Sequence, residues 1–309
     1  MALSIQSNMA SMSIQNQLGR SNDSLSTALE RLGSGFKINS AKDDAAGLQI
    51  ASRLNAQVRG QDAALYNSNN AMSMMQTAEG AFDEMTNIAY RMKELATQAA
   101  NGTNGVDEGV AMDAEFVALE EELASIMQNT SFGGTKLLAE ASSDVTASAT
   151  LRGVTGSVVG KFSDVTNAAS KIVTFQVGSS TSETLDVNVA DAVDAIHTKL
   201  DTATGTKRSL GDLRSTGAPA TAMTNVDALI KDIGTARSAL GASMNRLDHT
   251  MNNVTNMKEN TQAAASTLMD ADFAAETSNM TKQQLLMNSG ISVLSTANST
   301  TQMIGSLLR

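Results

Sequence analysis

The chain has 309 residues and a formal net charge of -10, with 3% aromatic residues, no tryptophan and no cysteine. These figures exclude a disulfide framework, a thiolate nucleophile and a Cys-ligated metal site, and they argue against a general nucleic-acid binder, which needs clustered lysine and arginine. With so few large core formers, slender helix pairs and an elongated shape are expected in place of a thick globular core.

The first element places Ile14, Leu18, Leu25, Ala28 and Leu32 at alternating steps of three and four, with Ser21 at the remaining seam position. This spacing predicts a helix of about two dozen residues that stops at Gly33, Ser34 and Gly35. The polar run from Asn39 to Asp44 suits a cap for a second helix. There Met75, Ala78, Phe82, Met85, Ala89, Met92, Ala96 and Ala99 keep the same alternation, widened by Ile88 and Leu95, until the glycines at 102 and 105. A shorter helix carries Phe116, Leu119, Leu123 and Ile126 to a break at residues 131–134.

From about 139 to 221 the composition turns to Ser, Thr, Gly, Val and Ala. Val173, Phe175 and Val177 alternate with polar neighbours, as do Leu185, Val187 and Val189, and this predicts a hairpin turning through residues 178–183. Val193, Ile196 and Leu200 predict a short helix after it, and the rest of the insertion reads as loop. Helical spacing then returns with Val226, Leu229, Ile233, Ala236, Leu240, Leu247, Val254, Met257, Ala264 and Leu268, interrupted by Ser243, Thr250 and Thr261. Such a run would be a rod of roughly 65 Å. The last segment carries Met287, Gly290, Leu294, Ala297, Ile304 and Leu308 on one seam.

The economical arrangement is mainly α: a long antiparallel helical hairpin or coiled coil, gently left-handed, with a small central β-containing insertion. The Met-rich stripe at 75, 85 and 92 reads as core filling. His197 and His249 stand alone, neither followed by glutamate, so the HExxH zinc arrangement is missing and no enzyme, cofactor or metal is indicated. The acids at 43, 44, 270 and 272 read as caps or charge pairs. No run approaches the roughly 20 apolar residues that span a bilayer, and the first residues lack a signal-peptide pattern, so no membrane affinity is expected and export would need another route.

Several of these segments closely resemble bacterial flagellin. Residues 29–48, LERLGSGFKINSAKDDAAGL, and 91–103, RMKELATQAANGT, follow the family's N-terminal signature, while 270–276, DADFAAE, and 297–309, ANSTTQMIGSLLR, follow its C-terminal pattern. Gly33 and Phe36 stand where Ser and Leu are commoner, and the tail lacks a frequent proline. The likeness covers 1–138 and 222–309. It implies an inner terminal domain of 1–43 with 270–309, an outer helical domain of 44–138 with 222–269, and a variable, surface-exposed β-rich insertion at 139–221.

The resemblance further implies a structural subunit that polymerises into the helical flagellar filament for swimming, lying outside the cell. Its packing seams would be Ile14, Leu18, Leu25, Leu32, Leu294, Ile304 and Leu308. Implied partners are further copies of the chain, a companion flagellin, cap and hook-associated proteins, and an export chaperone bound within 267–309. Export would be unfolded, through a type III apparatus, and the insertion could carry O-glycans. The resemblance also implies recognition by the innate immune Toll-like receptor 5 through Arg91, Leu95, Gln98 and Glu115; a purely structural reading makes Arg91 and Glu115 lattice contacts and Leu95 stripe packing. A hook–filament junction protein is the alternative identity, because it shares terminal helices.

Overall fold

A computed structural model of the protein describes residues 8–139, 173–200, 210–214 and 218–307. In chain order they form α1 (Met9–Ser34), α2 (Ala45–Ala99), α3 (Val106–Asn129), β1 (Ser131–Phe132), β2 (Thr135–Lys136), β3 (Val173–Gln176), β4 (Thr184–Val187), α4 (Ala190–Leu200), α5 (Ala218–Met269) and α6 (Phe273–Leu307). The chain divides into two compact units, Met1–Arg59 with Lys258–Arg309, and Gly60–Met257.

In the first unit α1 and α6 pair antiparallel. Asn8 Nδ2 donates to the Ala297 carbonyl at 3.3 Å, Ser11 Oγ to Asn298 Oδ1 at 3.1 Å, and Arg31 meets Glu276 at 3.4 Å. Position thus rises along one helix as it falls along the other. Leu18 packs where Gly290 has no side chain, and a Cβ there would lie only 3.1 Å from it. The predicted seam of α1 is present: Ser21, Leu25 and Ala28 are buried, and Ile14, Leu18 and Leu32 are half-buried. On α6, Met287, Gly290, Leu294 and Ala297 are half-buried, whereas the Ile304 side chain and Leu308 lie outside the described residues.

Helix α1 stops where expected, at Gly35, whose φ of 77° suits a residue without a Cβ and whose N–H donates to the Arg31 carbonyl at 2.8 Å. The chain then crosses as a short antiparallel bridge, Phe36 opposite Asp270, in which Lys37 N–H donates to the Met269 carbonyl and Ala271 N–H to the Gly35 carbonyl. Both helical paths therefore break at one level. The acids around these breaks act as caps. Asp44 Oδ1 accepts from Gly47 N–H at 2.9 Å at the start of α2, and Asp272 Oδ1 accepts from Ala274 and Ala275 at the start of α6. Asp43 accepts from the Ser40 and Asn39 amides, which hold its carboxyl below the usual carboxylate range.

The second unit encloses one continuous core. Met75, Ala78, Phe82, Met85, Ala89, Met92 and Ala96 of α2 face Phe116 and Leu123 of α3 and Val226, Leu229, Ile233, Ala236 and Leu240 of α5, all fully buried. Asp83 with Arg237 at 3.0 Å, and Lys93 with Asp227, fix α2 and α5 antiparallel. Pro219 sits in the first turn of α5, where its missing N–H leaves no helical bond unmade.

The predicted hairpin is present, with Val173 opposite Val187 and Gln176 opposite Thr184, and so is the short helix after it. The described part of the insertion is not exposed throughout. Leu185, Val187 and Val189 join Val193, Ile196 and Leu200 of α4 in the same core as Phe82, while the opposite hairpin face with Thr174 and Asp186, the turn at 179–184, and Asp191 and Thr198 of α4 are exposed. His197, buried in α4, donates from Nε2 to the Leu138 carbonyl at 2.6 Å. The hairpin turn abuts α2 at Gly60, where a Cβ would meet that of Ser179 at 2.8 Å. Alternation places one face of each strand inward, and a chain short of large residues uses them. The loops expected elsewhere in the insertion fall mostly outside the described residues.

Two further differences are local. The break after α3 is a tight hairpin, β1 with β2, whose two turn residues Gly133 and Gly134 have φ of 58° and 82° as a two-residue primed turn requires. Along α5 the seam follows prediction to Leu247 and again at Val254, Thr261 and Leu268, but at two later positions it shifts by one residue. Lys258 and Ala265 turn inward where Met257 and Ala264 were expected, and those two are exposed. An α-helix drifts about 20° per heptad against a strict seven-residue repeat, so a long stripe read at that repeat walks off the contact.

Candidate functional site: an assembly face

The buried surface of the first unit is thin. Among the described residues, α1 fully buries only Ser21, Leu25 and Ala28, and α6 only Glu276. Beyond that seam α6 carries Phe273, Leu285, Leu286, Ile291 and Val293 into solvent, with Phe273 69% and Leu285 65% exposed. Phe273, Thr277, Thr281, Lys282, Leu285 and Ser289 line an open groove of about 820 Å³. On α1, Met9, Met12 and Leu29 are exposed as well. A helix apolar on several sides is stable only when other surfaces cover it.

The seam reading missed this outward set. A signal was present: 285–287 and 291–294 place apolar residues on both flanks of the predicted line, a stripe too broad for one partner helix. Arg31 and Glu276 form the one ion pair across the α1–α6 seam among the described residues, part-buried at its mouth.

In the second unit Arg91 bridges Glu94 at 2.7 Å and Glu115 at 2.8 Å, and these carboxylates raise the already high pKa of its guanidinium. Gln98 Nε2 donates to Glu94 Oε1 at 3.3 Å, so Arg91, Gln98 and Glu115 share one exposed polar patch. Leu95 does not belong to it. It is 2% exposed and packed in the core, beneath the patch. Among the described residues no group of three or more His, Cys, Asp or Glu is placed to hold a metal ion, and no helix is long and apolar enough to cross a membrane.

Two buried acids went unforeseen. Asp113 Oδ1 accepts from Leu213 N–H at 3.1 Å and Glu120 Oε1 from Leu210 N–H at 3.2 Å, so α3 holds the 210–214 segment across the core.

Two long helices, α1 and α6, paired antiparallel with apolar side chains left uncovered, are the arrangement of a subunit that packs against other surfaces. Residues 5–143 match the bacterial flagellin N-terminal helical region, and residues 223–308 the bacterial flagellin C-terminal helical region. Flagellin A of Vibrio anguillarum is 36% identical and polar flagellin C of Vibrio parahaemolyticus 35% identical, each alignment covering 100% of both chains. A solved chain described as a flagellar hook-associated protein from Vibrio parahaemolyticus aligns with a TM-score of 0.51 at 13% identity, over 74% of this chain and 99% of that one, a likeness of fold alone. The chain belongs to the bacterial flagellin family. It is a subunit of the flagellar filament, and the hook-associated alternative has less support.

Proposed function

We propose that this subunit builds the filament by laying the outward faces of α1 and α6 against neighbouring copies, and that these two helices become fully ordered only then. The observation that carries the reading is the uncovered set Phe273, Leu285, Leu286, Ile291 and Val293 beside a seam with almost no fully buried residue. Ordering a residue costs roughly 1–2 kcal/mol of backbone entropy, and a single thin seam offsets little of that over two long helices. Neighbouring copies supply the missing burial, at about 25 cal/mol per Å² of apolar surface covered. The contact is heterologous, each copy docking head to tail, because a two-fold contact closes and an open lattice must not. The division into an inner part of 1–43 with 270–309 and an outer part of 44–138 with 222–269 belongs to the same proposal.

Purified subunits added to sheared filament fragments elongate them under the electron microscope. Subunits that stay solitary at high concentration beside growing ends would overturn the reading.

Innate immune recognition is a second reading, favoured by the exposed Arg91, Gln98 and Glu115 patch. Arg91→Ala weakens Toll-like receptor 5 signalling in a reporter-cell assay, through loss of a guanidinium that no other side chain of the patch replaces. Wild-type potency in that variant would remove the receptor from the list of partners.

A further inference from the structure

The chain has 18 methionines and no cysteine, so thioether is its only sulfur chemistry. Those methionines span a range of access, from enclosed through half-buried to exposed, with Met257 at 38% also outward. Met75, Met85, Met92 and Met127 are enclosed in the core of the second unit. Met9, Met12 and Met303 are 69%, 55% and 59% exposed; Met9 and Met12 lie on α1 at the level where Asn8 and Ser11 reach Ala297 and Asn298, and Met303 follows further along α6.

We propose that Met9, Met12 and Met303 form a peroxide-sensitive modification site that controls whether a free subunit can join the filament. This rests on the reading that the outward faces of the terminal helices are covered by neighbouring copies. The thioether sulfur attacks one oxygen of hydrogen peroxide and the O–O bond breaks as an S–O bond forms. Sulfur gives up two electrons, and the second oxygen leaves as water with both hydrogens. Oxidation follows access, so the three outward sulfurs react before the enclosed ones.

The product is a sulfoxide, a strong dipole and hydrogen-bond acceptor, on a face that must become dry. Burying it without a donor opposes docking. Within a finished filament the same face is covered and peroxide cannot reach it. The site therefore acts on subunits in transit and spares those already in place.

The test treats free subunits and finished filaments separately with hydrogen peroxide, quenches with free methionine, locates added oxygen by peptide mass mapping, and then measures seeded elongation. Oxygen is expected at Met9, Met12 and Met303 in subunits before Met75, Met85, Met92 or Met127, and not at those three positions in filaments. Treated subunits elongate roughly tenfold more slowly, and methionine sulfoxide reductase restores the rate. A variant with Met9→Leu, Met12→Leu and Met303→Leu elongates equally before and after treatment.

Normal elongation by subunits oxidised at all three positions overturns the proposal, as does equal peroxide sensitivity of the triple-leucine variant. If untreated subunits fail to elongate seeds at all, the packing reading itself falls and takes this proposal with it. The two failures are thus distinguishable.

Discussion

Leu285→Glu stops seeded elongation while leaving the thermal unfolding of the free subunit almost unchanged. Leu285 is 65% exposed on α6, so in the lone chain its replacement touches no core, and such surface changes stay within about 0.5 kcal/mol. In the proposed filament packing the same position meets an apolar neighbour, where an ionised carboxylate without a partner would cost at least several kcal/mol. Each 1.4 kcal/mol is a factor of about ten in binding, so docking weakens by a hundredfold or more. Seeded elongation measured beside a melting curve separates the two effects. Wild-type elongation by Leu285→Glu would place the contact elsewhere, whereas a lowered melting temperature would make Leu285 a support of the isolated fold.

Phe82→Ala has the opposite profile. Phe82 is fully buried at the centre of the α2 seam, in one cluster with Phe116, Ile233 and Leu240. Its removal deletes the apolar contact and leaves a cavity that three rigid helices close only partly. Truncations of this kind cost about 3–5 kcal/mol, against a total domain stability of about 5–15 kcal/mol. Urea unfolding of the free subunit should move its midpoint down by a large fraction of its wild-type value. A loss below about 1 kcal/mol would mean that the site relaxes around the gap, and that the core of the second unit is softer than its burial suggests.

Local periodicity made the helices legible. In α2 each residue from Met75 to Ala96 that the alternation selected lies in the core, because a stripe of Met, Ala and Phe on an otherwise polar helix leaves one face to bury. The hairpin at 173–187 was equally readable, since a two-residue period admits one inward face. What the alternation leaves open is which surface receives that face, and so the insertion's union with the main core was invisible. The partners of Asp113 and Glu120 were also out of reach, as Leu213 and Leu210 lie 100 and 90 positions away. Leu95 was given a receptor contact by family resemblance and a place in the stripe by its spacing, and its burial agrees with the stripe. On α6 the narrow seam was found and the broader apolar surface was not, because a search for one partner helix discards residues that serve a second. Under the proposed packing that discarded surface is the functional one.

Amide hydrogen exchange, compared between free subunits and filaments, tests the central claim most directly. Amides of 9–34 and 273–307 should exchange rapidly in the free chain and become strongly protected in the filament, while those of 75–96 and 226–247 are slow in both. Strong protection of the terminal helices in the solitary subunit, unchanged by assembly, would contradict the account.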